Sequence, residues 1–211
     1  MRTNEEKYEA ICNFLDNVKI NKITVLTGDN ASGKSLIRKL LWQSVCEQTN
    51  DDRKPAQAIV DMSMERRTGS YASLGALSGI FRDDSWVATS VASIRFIENI
   101  THYTEEKQID KRYLVFDEPE VGCGEEVQLG IANFINSKRE YFEKYTLGVL
   151  IITHSKHIVK NVECDEFFNL EGKTKEEWLN REIVAKDPIE LEKEADSFFM
   201  FLRDKLTSSK A

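Results

Sequence analysis

Several features that would place this chain in a specialised class of protein are missing from its sequence. It contains only three prolines among 211 residues, and neither a low-complexity linker nor an internal repeat interrupts it. No apolar run approaches the roughly 18 residues that a membrane-spanning helix requires. The start, MRTNEEKYEA, is polar and acidic, so we expect no secretory signal peptide. These absences favour a globular cytoplasmic protein with no membrane segment of its own.

Cysteines and charge narrow the class further. The four cysteines are widely scattered, with no C-x-x-C pair and no histidine at zinc-finger spacing, so we interpret them as free thiols in a reducing compartment. The 29 basic and 36 acidic residues give a net charge of −7. This balance argues against a broad nucleic-acid-binding surface, although it does not exclude a local basic patch.

Apolar spacing predicts strands that alternate with helices along most of the chain. Strands are predicted over 22–27, 57–64, 113–116, 147–153 and 167–170. Helices are predicted over 4–18, 33–47, 91–105, 125–145 and 188–206, with a loop over 48–55 and either a loop or short helices over 68–90. Such alternation is typical of an α/β fold with a mixed, mostly parallel sheet that helices cover on both faces.

A glycine-rich turn lies between the first strand and its helix. It reads GDNASGKS and matches the P-loop pattern G-x-x-x-x-G-K-[ST] in the strand–turn–helix context that the pattern requires. The backbone N–H groups of such a turn point at phosphate oxygens. We predict that Lys34 reaches the β- and γ-phosphates of ATP and that the Ser35 hydroxyl ligates Mg²⁺. The predicted nucleotide contacts are Gly28, Asp29, Asn30, Ala31, Ser32, Gly33, Lys34, Ser35 and Leu36.

Two adjacent carboxylates, Asp117 and Glu118, follow the apolar strand in YLVFDEPE. Like charges at a strand end repel and lose solvation, so the pair indicates a bound cation or a water to be deprotonated. Beside a P-loop, we predict that Asp117 helps to hold Mg²⁺ from a neighbouring strand. Glu118 then orients and deprotonates the water that attacks the γ-phosphate. The alternative is a solvated turn after a strand.

A histidine, His154, directly follows another apolar strand in LIITHS. A polar side chain at this position can contact the γ-phosphate and respond to its presence. Taken alone, His154 is better explained as a strand-end histidine with a structural role. The two other motifs favour the catalytic interpretation.

The three motifs GDNASGKS, LVFDEPE and IITHS together resemble those of the ATPase domain of ATP-binding cassette (ABC) proteins. Matched by position, the resemblance implies that residues 28–35 are the Walker A loop and Asp117 the Walker B acid. It also implies that Glu118 is the catalytic base and His154 the switch histidine. In that family two ATP molecules are enclosed in a head-to-tail dimer, which closes on ATP and opens after hydrolysis. The implied ATPase domain covers residues 1–171, and a helical extension covers 172–211.

The sequence departs from that family in the region before Asp117. The LSGGQ-like signature is not intact, and the LSG at residues 77–79 lies too far from Asp117. The better candidate is the segment 88–93, at the start of the predicted helix 91–105, where Ser90 or Ser93 would contact nucleotide. The alternative for these serines is an ordinary helix N-cap.

Two further departures concern the same region. Gln57 is the candidate for the Q-loop glutamine, although nothing else marks it. The short stretch between the P-loop and Asp117 implies a reduced helical and signature subdomain, over about 68–110.

These departures favour a compact ABC-type ATPase outside transport. We predict hydrolysis of ATP with Mg²⁺ and nucleotide-driven association, as a homodimer or with a soluble effector protein. The protein would act as a switch or motor in a DNA-processing or phage/anti-phage defence assembly, and nucleic acid would be contacted through that assembly. One alternative is the ATP-binding subunit of a membrane ABC transporter. Another is a P-loop small-molecule kinase with a lid supplied by Arg66, Arg67 and Arg82.

Overall fold

The computed structural model describes residues 2–49, 59–62 and 111–208. Its elements in chain order are α1 (Asn4–Asn17), β1 (Ile23–Thr27), α2 (Lys34–Thr49), β2 (Ile59–Met62), β3 (Arg112–Asp117), α3 (Glu125–Ser137), α4 (Arg139–Tyr145), β4 (Thr146–Ile152), α5 (Lys156–Asn161), β5 (Glu166–Asn169), α6 (Lys175–Leu179) and α7 (Pro188–Ser208). Five strands form one sheet in the order β2-β3-β4-β1-β5, and all pairings between the described strands are parallel. The structure confirms the predicted α/β fold, with a sheet that is wholly parallel within these residues.

All five predicted strands are present, and their ends differ from the prediction by one or two residues. Three predicted helices match α1, α2 and α7 equally closely. The short helices α5 and α6 were not predicted, because six and five residues cannot show a helical period. The predicted helix 91–105, the loop 68–90 and most of the loop 48–55 lie outside the described residues.

The prediction of one long helix over 125–145 is wrong. The helix ends at Ser137, and α4 begins at Arg139 after Lys138, whose φ of −100° and ψ of 10° are not helical. The Ser137 hydroxyl donates to the carbonyl oxygen of Phe134 at 2.7 Å, a local hydrogen bond that competes with the helix. Both helices pack their apolar side chains on the same face of the sheet, so the apolar period continues across the break.

The sheet separates two apolar layers, and alternate residues of each buried strand enter different layers. In β4, Val149 and Ile151 pack with α3, α4 and α5, whereas Leu150 and Ile152 pack with α1, α2 and α7. Burial on both faces explains why this strand is a near-continuous apolar run in the sequence.

Helix α7 belongs to the second of these layers. Phe198 and Leu202 are buried among Ile11 and Phe14 of α1, whereas Phe199 and Met200 are exposed. One face of α7 therefore packs on the core. Within the described residues, no helix combines the length and apolar character needed to cross a bilayer.

Candidate functional site

The phosphate loop, residues 28–33, connects β1 to α2. Its backbone adopts left-handed conformations at Ala31, with φ of 60°, and at Gly33, with φ of 92°. A Cβ atom on Gly33 would lie 2.6 Å from Ile11 Cδ1 and 2.7 Å from Phe198 Cε1, so only glycine fits there. Helices α1 and α7 thus pack against the loop at Gly33.

Lys34, the first residue of α2, is almost fully buried beside this loop. Its Nζ donates to the carbonyl oxygens of Gly28 at 3.0 Å and Asp29 at 2.8 Å. Burial lowers the pKa of Lys34 to about 8, although the carboxylates of Glu118, Glu171, Asp29 and Asp117 act in the opposite direction. A phosphate group at the loop would add further negative charge beside this buried ammonium and stabilise its protonated form.

Asp117 ends β3, and Glu118 follows it at the carboxyl edge of the sheet. Strand β4 lies between β3 and β1, so these acids come from the second strand along rather than from a direct neighbour of β1. That separation is about 10 Å across the sheet. Parallel strands place the acids and the phosphate loop at the same edge, where ligands bind in open α/β sheets. The expectation of a directly neighbouring strand is therefore corrected.

Glu118 and His154 meet at this edge. Nε2 of His154 lies 3.4 Å from Oε1 of Glu118, and both side chains are about one-third exposed, 33% and 36% respectively. Glu118 adopts a φ of 50°, and its N–H donates to the carbonyl oxygen of Ile152 at 2.8 Å. A left-handed backbone conformation is costly for a glutamate, and Glu118 adopts it directly after the end of β3.

Glu120 is a site residue that the sequence analysis did not assign, although it is the third carboxylate of YLVFDEPE. It is only 8% exposed. Its Oε1 accepts hydrogen bonds from Thr153 Oγ1 at 2.8 Å and from the N–H of His154 at 2.7 Å. Glu120 therefore joins the loop after β3 to the loop after β4 and fixes the backbone that carries His154.

The same two loops are joined a second time through Ser155. The Ser155 N–H donates to Thr153 Oγ1 at 3.0 Å, and its hydroxyl donates to Gln128 Oε1 at 2.6 Å. Gln128 Nε2 in turn donates to the carbonyl oxygen of Cys123 at 2.9 Å. Thr153, Ser155, Gln128 and Glu120 form a polar network beneath Glu118 and His154.

Residues distant in the sequence also contact Asp29 of the phosphate loop. The Asp29 N–H donates to Glu171 Oε1 at 2.9 Å, and Asp29 Oδ2 pairs with Lys186 Nζ at 2.8 Å. Burial by itself would raise the pKa of Asp29, but its hydrogen bond to Lys186 and the nearby ammonium groups hold that pKa below its usual value. Glu171 and Lys186 carry no local sequence signal, because their partner lies more than 140 positions away.

The structure gathers most of the predicted site residues and leaves the others undescribed. Residues 28–33 form the loop, Lys34, Ser35 and Leu36 open α2, and Asp117, Glu118 and His154 lie at the same sheet edge. The signature candidates Ser90 and Ser93, Gln57 and the subdomain 68–110 lie outside the described residues.

These groups suit a triphosphate with Mg²⁺. Among the residues that the structure describes, no cluster of three His, Cys, Asp or Glu side chains could hold a metal by itself. Mg²⁺ does not need one, because it binds through one or two protein oxygens together with phosphates and water. A serine hydroxyl and a carboxylate, as at Ser35 and Asp117, are ligands of the required type.

Comparisons with known proteins add little to this description. No protein-family model and no curated protein sequence matches the chain. Among solved structures, it is similar to Cdc6p from Pyrobaculum aerophilum, with a TM-score of 0.36 and 14% sequence identity. The match covers 76% of this chain and 40% of that one, so it spans less than half the length of Cdc6p. The class follows instead from the parallel sheet with a glycine-rich phosphate loop between β1 and α2, which defines a P-loop NTPase fold.

Proposed function

We propose that this protein is an ATPase that binds the phosphates of ATP at the phosphate loop and hydrolyses the terminal one at Glu118. The observation that carries the proposal is the contact between Glu118 and His154 at the sheet edge shared with the phosphate loop. The buried Lys34 supports it, because its charge interacts with both Glu118 and Asp117.

In this proposal, Lys34 exchanges its hydrogen bonds to loop carbonyls for bonds to the β- and γ-phosphates. Ser35 and Asp117 would hold Mg²⁺, which when bound neutralises charge on those phosphates. Loop N–H groups other than those of Asp29 and Ser32, which donate to Glu171 and to the Asp29 carbonyl oxygen, hold the remaining oxygens.

Glu118 is the general base. It takes a proton from a water molecule, whose oxygen forms a bond to the γ-phosphorus as the bond from that phosphorus to the departing ADP oxygen breaks. His154 contacts the γ-phosphate and keeps the Glu118 carboxylate oriented. Glu120 acts through His154 and is a positioning residue.

We also propose that the protein is of the ABC type, because its three motifs resemble those of ABC ATPases. We infer a non-transporter ABC-type protein whose ATP-bound form associates with a second copy or with a soluble effector protein. Ser90 or Ser93 would contact the nucleotide of the partner. A DNA-processing or phage/anti-phage defence assembly is the setting that we propose for it.

The test combines ATP turnover, ATP binding and gel filtration for wild type and Glu118→Gln. Glutamine keeps the shape of Glu118 but cannot accept the proton. We therefore expect Glu118→Gln to bind ATP as wild type does and to hydrolyse it about 10²–10⁴-fold more slowly. With ATP and Mg²⁺ this variant should elute at twice the monomer mass.

Glu140→Gln, at an exposed glutamate of α4, is the matched control and should behave as wild type. If Glu118→Gln turns over ATP at the wild-type rate, Glu118 is not the general base. If Glu118→Gln binds ATP tightly but elutes at the monomer mass, the proposed dimer is wrong and the proposed ATPase activity is unaffected.

A further inference from the structure

The chain that follows β5 returns to the phosphate loop and forms one wall of a cleft. This cleft has a volume of about 560 Å³. Its first wall contains Gly28, Asp29 and Asn30 of the phosphate loop together with His154. Its second wall comes from the segment after β5 and includes Trp178, Arg181, Glu182 and Lys186.

Arg181 is held rigidly in that second wall. Its guanidinium carbon lies 3.5 Å from the centre of the Trp178 ring, and Trp178 itself is buried. Nη1 of Arg181 donates to the carbonyl oxygen of Trp178 at 2.8 Å. Trp178 lies in α6, which begins with a capping box between Thr174 and Glu177. A guanidinium stacked on a buried ring loses little entropy when it binds an anion.

Two carboxylates lie near Arg181, and both already have other partners. Burial lowers the pKa of Arg181, while Asp29 and Glu171 act against that shift. Asp29 is already paired with Lys186, and Glu171 accepts the N–H of Asp29 and an N–H of Asn169. The bond to Trp178 uses one of the five N–H donors that a guanidinium carries, so a planar fork can still face the cleft.

His154 identifies which part of the nucleotide this cleft would face. It lines the cleft and also contacts Glu118, the proposed base, so the cleft borders the position where the bond to the terminal phosphate breaks. An arginine that lines the same cleft as the phosphate loop and His154 is suited to the charge of that group.

We propose that Arg181 contacts the terminal phosphate of ATP within the same chain and makes the site prefer a triphosphate to a diphosphate. This rests on the proposed ATPase function, and it adds a residue that none of the three sequence motifs contains. The segment after β5 is then part of the nucleotide site.

The experiment measures the affinity of wild type, Arg181→Met and Arg181→Lys for a non-hydrolysable ATP analogue and for ADP, each with Mg²⁺, by calorimetry. Methionine keeps an apolar stem on Trp178 and removes the charge, whereas lysine keeps the charge and lacks the fork. Lys193→Met, at an exposed lysine of α7, is the control. Thermal unfolding of each variant shows whether it is folded.

We expect Arg181→Met to weaken binding of the ATP analogue about 10- to 100-fold, the usual effect of losing a hydrogen bond to a charged group. Affinity of Arg181→Met for ADP should stay within about threefold of wild type. Arg181→Lys should bind the ATP analogue with an affinity between those of wild type and Arg181→Met. If Arg181→Met does not fold, Arg181→Lys must still show a reduced preference for the ATP analogue.

Equal losses for both nucleotides would show a structural role and overturn the inference. Unchanged affinities in the folded variants would also overturn it, while the proposed ATPase would stand. A wild-type protein that binds neither nucleotide would overturn both.

Discussion

The two sides of the site are held by different kinds of interaction at their centres. At Gly33 the phosphate loop is supported by apolar contact, because this residue lies directly against Ile11 and Phe198, while the Asp29 end of the loop bonds to Glu171 and Lys186. A polar network supports the side that carries Glu118 and His154, and its centre is the buried Glu120. Apolar packing tolerates no added volume, whereas a buried polar network tolerates no lost partner. The two sides should therefore fail in different ways when they are mutated.

The largest effect is expected from Gly33→Ala, on the apolar side. The added methyl group would clash with Ile11 and Phe198, and alanine disfavours the φ of 92° at this position. Together these terms should cost about 3 kcal/mol of unfolding free energy, measured by urea denaturation. Nucleotide binding should fall as well, because relief of the clash moves the loop.

Gly130→Ala is the matched control for that change. A Cβ atom at Gly130, in the middle of α3, would have no neighbour within 4 Å. This variant should be more stable than wild type by about 0.5–1 kcal/mol, since alanine is the better helix former. Equal stabilities of the two variants would contradict the proposed apolar support of the loop.

Glu120→Ala tests the polar side and should have the next largest effect. The change leaves the Thr153 hydroxyl and the His154 N–H without their acceptor, at a cost of about 2 kcal/mol of unfolding free energy. If Glu120 positions His154, turnover of ATP should fall about tenfold or more while affinity for ADP is kept.

Glu120→Gln separates positioning from charge at this position. Glutamine retains one carbonyl oxygen that can accept both hydrogen bonds, so it should recover most of the turnover. Turnover as low as in Glu120→Ala would show that the negative charge, rather than the position of His154, is what matters.

The sequence predicts the apolar and motif-bearing parts of this molecule better than its long-range contacts. Every buried strand is visible because burial on both faces produces an apolar run, as in β4. The break at Lys138 is not visible, because neither proline nor glycine marks it. The order of the strands, which places β4 between β1 and β3, depends on tertiary packing that no local pattern records.

In the candidate site, too, the residues in local motifs were predicted and the residues placed by long-range contacts were not. The phosphate loop, Asp117, Glu118 and His154 each stand in a recognisable local context. Arg181 and Lys186 lie near the phosphate loop only through the tertiary fold, so no local sequence pattern around them indicates this position. Glu120 was visible as a third carboxylate, but its hydrogen bonds to the loop after β4 were not.

The smallest expected effect concerns the charge buried on the apolar side, at Lys34. The folded protein lowers the pKa of this lysine to about 8, below the value of about 10.4 in an unfolded chain. The unfolded state therefore binds more protons between these two values, and the free energy of unfolding must rise with pH there. The cost of the buried charge is fully present below pH 8.

For protein without nucleotide, this linkage predicts a gain of about 1.5 kcal/mol in unfolding free energy between pH 8 and pH 9.5. Lys34→Met should lack that gain, and comparing urea denaturation of the two proteins at both pH values cancels the titration of other groups. Bound ATP should also abolish the gain, because phosphate charge stabilises the ammonium form. An equal pH dependence in wild type and Lys34→Met would mean that the carbonyl groups of the loop already compensate the buried charge. The phosphate-loop side would then be supported by polar contacts as well, and the two sides of the site would differ less than their packing implies.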